Sequence, residues 1–149
     1  MGNQNMRILV ATDGSEPSGR AVDFAARWAK GLKAELEIIH VVNVDNLALD
    51  QLGNYAIGEH VTLGEVLNTF AEEKVAEAKK QAAACGVSIV QSESPFGDPA
   101  ELIIEAARRD KVDMIVLGKR GRGRLSGLLL GSVSQKVVSI APCAVVVVP

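Results

Sequence analysis

At 149 residues, 48% of them hydrophobic, the chain has the size and composition of one globular domain over residues 1–149 rather than of a disordered segment. A formal net charge of −2 with a pI near 5.7 lacks the basic excess of a nucleic-acid binder, and no stretch of about 18 consecutive apolar residues marks a membrane span. Aromatics are only 3%, so the core must be built from Ala, Val, Leu and Ile, a diet suited to helices packed on a buried parallel sheet.

The N-terminus, Met1 to Met6, is polar and lacks an apolar signal core. Met6–Ala11 reads as a short buried strand. Ser15–Leu32 reads as a helix with Ala21, Ala25, Trp28 and Leu32 on one face, ending near Gly31. Leu36–Val42 is a second strand, rich in β-branched residues. Asn43 to His60 is the least regular stretch, a long loop of the kind that is often functional or mobile. Val61–Cys85 reads as a longer helix closed by Gly86, with Glu72, Glu73, Lys74, Glu77, Lys79 and Lys80 as its solvated face. Val87–Gln91 is a third, more exposed strand. Asp98-Pro99-Ala100-Glu101 carries the residues of a helix start, and that helix runs to about Arg109. Val112–Leu117 is a fourth strand. Ser132–Ile140 is a short final helix stopped by Ala141-Pro142, and Ala144–Val148 is a fifth strand. Cys85 and Cys143 lie far apart and outside any CxxC pattern, which reads as two buried free thiols in a reducing cytoplasm.

Strands alternating with helices imply a parallel sheet with helices on both faces. In such a sheet, ligands bind beyond the carboxyl ends of the strands, where the strand order reverses. The residues just after each strand are therefore the informative ones. After the first come Ala11-Thr12-Asp13-Gly14-Ser15, and after the second His40-Val41-Val42-Asn43. After the fourth comes a glycine-rich run through Gly118, Gly121, Gly123, Gly127 and Gly131. Its glycines allow close backbone approach to a ligand. Gly131-Ser132 opens a helix, whose free N–H groups and dipole attract anions. Ser132 and Ser134 add hydroxyl donors, and Lys119, Arg120, Arg122 and Arg124 add positive charge. This chemistry specifies phosphate, not a base.

The spacing Gly118-x2-Gly121-x9-Gly131-Ser132 resembles the signature of the ATP-binding branch of the universal stress protein family. The resemblance extends over nearly the whole chain. Ile8 to Ser15 is similar to the family's first strand and loop, and His40-Val41 to its second strand end. Gly97-Asp98-Pro99 is similar to its third loop, and Gly131 to Val137 and Pro142 to Val148 to its last helix and strand. It implies an open, Rossmann-like α/β fold: one five-stranded parallel sheet of order 3-2-1-4-5, reversing between the first and fourth strands. It implies that the main chain of Ala11 and Gly118 faces a ribose and that of Val41 an adenine. Asp13 then lies near the ribose or near a phosphate-bound Mg2+ or Mn2+. Gly121, Arg122, Gly131, Ser132, Val133 and Ser134 hold the phosphates, and Thr12, Leu117, Arg120, Gly123 and Arg124 complete the ATP-contacting set. The family often has proline where this chain has Ala11, and Ser-His where it has Lys119-Arg120. It also implies a homodimer paired through Ala144–Val148, since an unpaired valine edge invites aggregation.

No catalytic set is visible: no Ser-His-Asp arrangement, no clustered metal ligands and no GxxxxGK[ST] loop. A nucleotide-dependent regulator in the cytoplasm is the favoured reading; a slow metal-dependent ATPase or an adenylating-type enzyme stays open. The adenylating reading would want an SGGxDS-like loop where Ala11 to Ser15 stands. A phospho-receiver would need paired acids after the first strand. The Lys119–Arg124 cluster is a thin basis for nucleic-acid binding. Asp13 is read either as a ligand contact or as a helix cap, and His40 as a packed residue rather than a catalyst.

Overall fold

The computed structural model describes residues 4–43, 61–119 and 130–149. Among these, five strands and four helices alternate: β1 (Arg7–Thr12), α1 (Glu16–Leu32), β2 (Glu35–His40), α2 (Leu63–Ala83), β3 (Ile89–Glu93), α3 (Pro99–Arg109), β4 (Met114–Gly118), α4 (Ser132–Ile140) and β5 (Ala144–Val148). All pair in parallel, in the order β3-β2-β1-β4-β5. The expected α/β fold and strand order are therefore observed.

The alternation of side chains along a strand sorts the core onto two faces. Ile8, Val10, Leu36, Ile38 and Val116 point to the face covered by α1 and α2, where Ala21, Val22, Ala25, Ala26 and Ala29 meet them. Leu9, Ile39, Ile115 and Leu117 point to the other face, under Ala100, Ile103, Ile104 and Ala107 of α3 and Val137 of α4. Small alanines on the inner stripe of α1 bring its backbone close to the sheet, which matters for the site below.

Several boundaries differ from the sequence-based expectation. Helix α1 ends at Leu32, as expected, but the residue that closes it is Lys33 rather than Gly31; Lys33 takes a left-handed φ of 53° and donates its N–H to the last turn. Trp28 and Leu32 are 45% and 48% exposed rather than on the buried face; Trp28 stacks on Phe24 at the stripe's edge. Helix α2 begins later because Thr62 and Glu65 form a reciprocal capping box. Strand β3 is displaced toward the C-terminus because its register against β2 shifts between Leu36 and Glu37. Cys85 and Cys143 are free but half-buried, at the margins of the two core clusters. Burial and the nearby Asp113 push the Cys143 thiol up, away from reactive thiolate. No described helix is long and apolar enough to cross a membrane.

Candidate functional site: the crevice between β1 and β4

Strand order reverses between β1 and β4: β1 leads to α1 on one face, and β4 leads toward α4 on the other. The carboxyl ends of the two strands thus lie at the switch point of the sheet, where such folds open a crevice. On the β1 side the turn is closed by its own hydrogen bonds. Ser15 caps α1, its side chain accepting from Ser18 N at 3.3 Å. Ser15 N donates to Asp13 Oδ1 at 2.9 Å, and Gly14 N to Thr12 Oγ1 at 3.2 Å. The Thr12 and Ser18 hydroxyls meet at 3.0 Å, and Ser18 Oγ donates to Ser15 O at 2.9 Å. Gly14 sits at φ 81°, which a residue lacking Cβ adopts without strain. Of the two readings of Asp13, the cap belongs to Ser15; Asp13 holds the amide of that cap.

The β4 side is held against the same turn. A Cβ on Gly118 would lie 2.8 Å from Pro17 C and 2.9 Å from Ser18 N. The glycine here permits contact between β4 and the first turn of α1, a role the sequence reading assigned to ligand approach. Ser134, 3% exposed, donates its hydroxyl to Gly118 O at 2.8 Å, tying α4 to the end of β4. Lys119 N donates to Val148 O, and Gly131 N to Lys119 O at 2.9 Å. Lys119 and Gly131, which flank the glycine run, are therefore joined at the lip of the crevice.

The start of α4 differs from the other three helices. Ser15, Thr62 and Asp98 each accept an N–H in the first turn of α1, α2 and α3. Helix α4 starts at Gly131 with no side-chain cap. The first-turn amides of Ser132, Val133 and Ser134 are donors that the helix itself cannot satisfy. They sit beside Gly118 and Lys119, at the mouth of the crevice, where the helix dipole favours an anion.

On the far side of β1, β2 overruns its neighbour. Thr12 is the last β1 residue paired with β2, opposite His40. Glu35 N bonds toward β1, whereas Leu36 N and Val42 N bond toward β3. Strand alternation therefore turns the peptide groups of Val41 toward the β1 side. Val41's side chain packs partly on the α3–α4 face.

The same fold is found in known proteins. The model of the universal stress protein family matches residues 4–149. The chain belongs to the universal stress protein family. It is 37% identical over 146 residues to a universal stress protein of Methanocaldococcus jannaschii, covering 98% of this chain and 83% of that one. It is 38% identical over 148 residues to universal stress protein YxiE of Bacillus subtilis, covering 95% and 97%. A solved universal stress protein in complex with cAMP superposes with a TM-score of 0.71 at 28% identity, covering 97% of this chain and 96% of that one. UspA from Lactobacillus plantarum superposes with a TM-score of 0.72 at 25% identity, covering 99% and 100%.

In this universal stress protein, then, Ala11, Thr12, Asp13, Val41, Leu117, Gly118, Gly131, Ser132, Val133 and Ser134 all lie on elements that border the crevice. Leu117 itself is buried, its side chain in the α3–α4 core, so only its backbone belongs to the strand end. Arg120, Gly121, Arg122, Gly123 and Arg124 lie outside the described residues, as do Gly127, His60 and most of the long loop before it. His40 is 3% exposed and its Nδ1 meets Ser94 Oγ at 3.0 Å, the packed role expected of it. One crevice residue was missed by the sequence reading, and a second was read for its charge alone. Ser18 touches both sides, through Thr12 and beneath Gly118; the Ser15-x2-Ser18 spacing was its signal. Lys119 contributes main-chain bonds, which a reading of its charge does not reveal.

Proposed function

We propose that this chain binds an adenine nucleotide, ATP, with its phosphates on the first turn of α4 and its adenosine along the ends of β1, β2 and β4. The observation that carries this reading is the start of α4. It alone among the described helices begins without a side-chain cap, and it does so at the reversal point of the sheet. Gly131, Ser132, Val133 and Ser134 supply the amides, and Ser132 is exposed enough to add its hydroxyl. Gly121, Arg122 and the rest of the 120–124 run would add to this phosphate site. Ala11, Thr12 and Gly118 border the ribose, and the Val41 peptide faces the base. A related structure in complex with cAMP supports the choice of an adenine nucleotide.

Among the described residues no group of three His, Cys, Asp or Glu could hold a metal. An Mg2+ or Mn2+ ion would thus be held chiefly by the phosphates, neutralising their charge, with Asp13 as the protein's carboxylate. The chain's own groups bind and orient rather than transfer protons, which favours a nucleotide-dependent regulator in the cytoplasm over an efficient ATPase. The whole of residues 1–149 is read as one such domain.

Titration calorimetry of nucleotide-stripped protein tests the reading: heat of binding is expected with ATP, and its absence with both ATP and ADP overturns it. A homodimer is proposed with it. Strand β5 ends the sheet, paired on one side with β4, and leaves Ala144–Val148 half-exposed along its other edge. Light scattering should give twice the monomer mass; monomers alone at all concentrations refute the pairing.

A further inference from the structure

Away from the crevice, a cluster of charged residues lies where no sequence motif pointed. Glu37 stands in the middle of β2, on the α3 side of the sheet, and is only 2% exposed. Its Oε2 has no hydrogen-bond partner. Around it are gathered groups from every packed element. Arg7 of β1 reaches Glu37 Oε1 at 3.7 Å but sits closer to Glu35, at 3.0 Å, and donates to Asp110 O at 3.1 Å. Glu93 and Gln91 of β3 bond to Arg109 and Asp110 at the end of α3, at 2.7 and 3.3 Å. Asp113, before β4, accepts from Arg7 N at 2.9 Å.

Arg7 Nη1 lies between Glu37 and Asp110, 3.7 Å from Glu37 Oε1 and 3.1 Å from Asp110 O, and so sets the two acids side by side. Two carboxylates offer only acceptors to each other, so one of them must carry a proton for the two to bond. Asp110 already accepts a fork from Arg109, at 3.0 and 2.6 Å, which holds its carboxyl below the usual range. Glu37 has only the shared and more distant Arg7. The proton therefore belongs on Glu37, the acid with an oxygen left unbonded.

We propose that Glu37 and Asp110 form a proton-dependent latch that closes the end of α3 onto the β2–β3 pair, and that loss of the Glu37 proton to solvent loosens it. The register shift between Leu36 and Glu37 falls at the same place, so the latch grips the sheet where its ladder is irregular. Burial and the Asp110 charge push the Glu37 carboxyl up from 4.5 to about 7. The folded chain then binds more protons than the unfolded chain between those values. Stability is highest below the lower value and falls as pH rises toward the upper one, reaching its floor above it. The device is independent of the nucleotide site, which lies at the opposite ends of the strands.

The test is a carbon-13 NMR titration of carboxyl-labelled glutamate in the intact protein, with thermal melts of wild type and Glu37→Gln from pH 5 to 9. The Gln amide donates to Asp110 at every pH. Glu37 is expected to titrate near neutrality. The Glu37→Gln melting temperature should match wild type at pH 5 and exceed it by several degrees at pH 8, with ATP affinity unchanged. A Glu37 resonance already ionised at pH 5 overturns the proposal, as does a Glu37→Gln melting profile parallel to wild type. Should that variant fail to fold, the wild-type titration decides alone. Asp110→Asn should move the Glu37 titration back toward the ordinary range, and no movement counts against the latch.

Discussion

Two helices begin at the crevice, and they treat their first-turn amides in opposite ways. At α1 Ser15 takes the first-turn amide of Ser18, and Asp13 and Thr12 take the amides just before the helix. At α4 the capping position is Gly131, which has no side chain to cap with, and no side-chain cap is found among the described residues. Both starts carry the same dipole, so the dipole alone does not choose between them. What distinguishes them, among the described residues, is the missing side-chain cap at α4. A helix start that looks incomplete by the standards of its neighbours is the one we propose receives an anion. The same contrast explains the division of labour proposed for the crevice, with β1 and α1 shaping it and α4 holding charge.

That contrast can be broken at its hinge. Gly118→Ala would push a methyl group into the backbone of Pro17 and Ser18, forcing β4 from the first turn of α1. Urea denaturation should show a loss of about 3 kcal/mol; a loss within about 0.5 kcal/mol means the contact is not needed. Next in size, Gly131→Asp supplies α4 with the cap it lacks. The fold should hold or gain slightly, because Asp is at least as good a cap as Gly, while the carboxylate occupies the amides and repels phosphate. Calorimetry should show ATP affinity falling at least tenfold, about 1.4 kcal/mol or more. Unchanged affinity would move the phosphates elsewhere.

Ser15→Ala makes the reverse change at α1. It should cost about 1 kcal/mol of stability and leave ATP affinity nearly as it was, so a large affinity loss would erase the distinction between the two helix starts. The smallest expected effect belongs to Asp13→Asn. The amide oxygen still accepts from Ser15 N, so stability should change by less than about 0.5 kcal/mol. ATP affinity should drop a few-fold in Mg2+ and not in EDTA. An equal drop in both would assign Asp13 to the ribose rather than to a phosphate-bound ion.

The legible parts of this molecule were those encoded locally. Apolar runs alternating with helical spacing revealed every described strand and helix, and Asp98-Pro99 announced the start of α3. Boundaries slipped where a longer-range contact overrode the local signal. Trp28 matched the spacing of Ala21 and Ala25 but is too large for a stripe whose other members are mostly alanine, so it lies at the edge. Glu37 was read only as part of the second strand, because its neighbours Arg7 and Asp110 come from segments distant in sequence.

By itself, then, the sequence determined the class of fold and the family. These rest on periodicity, spacing and residue type, which are properties of neighbours along the chain. Tertiary structure alone decided which glycine serves packing, that Ser134 gives its hydroxyl to Gly118 O, and that a buried acid faces another acid far from the crevice. Each is a meeting of backbone or polar groups from separate elements, and only the folded sheet brings them within bonding distance.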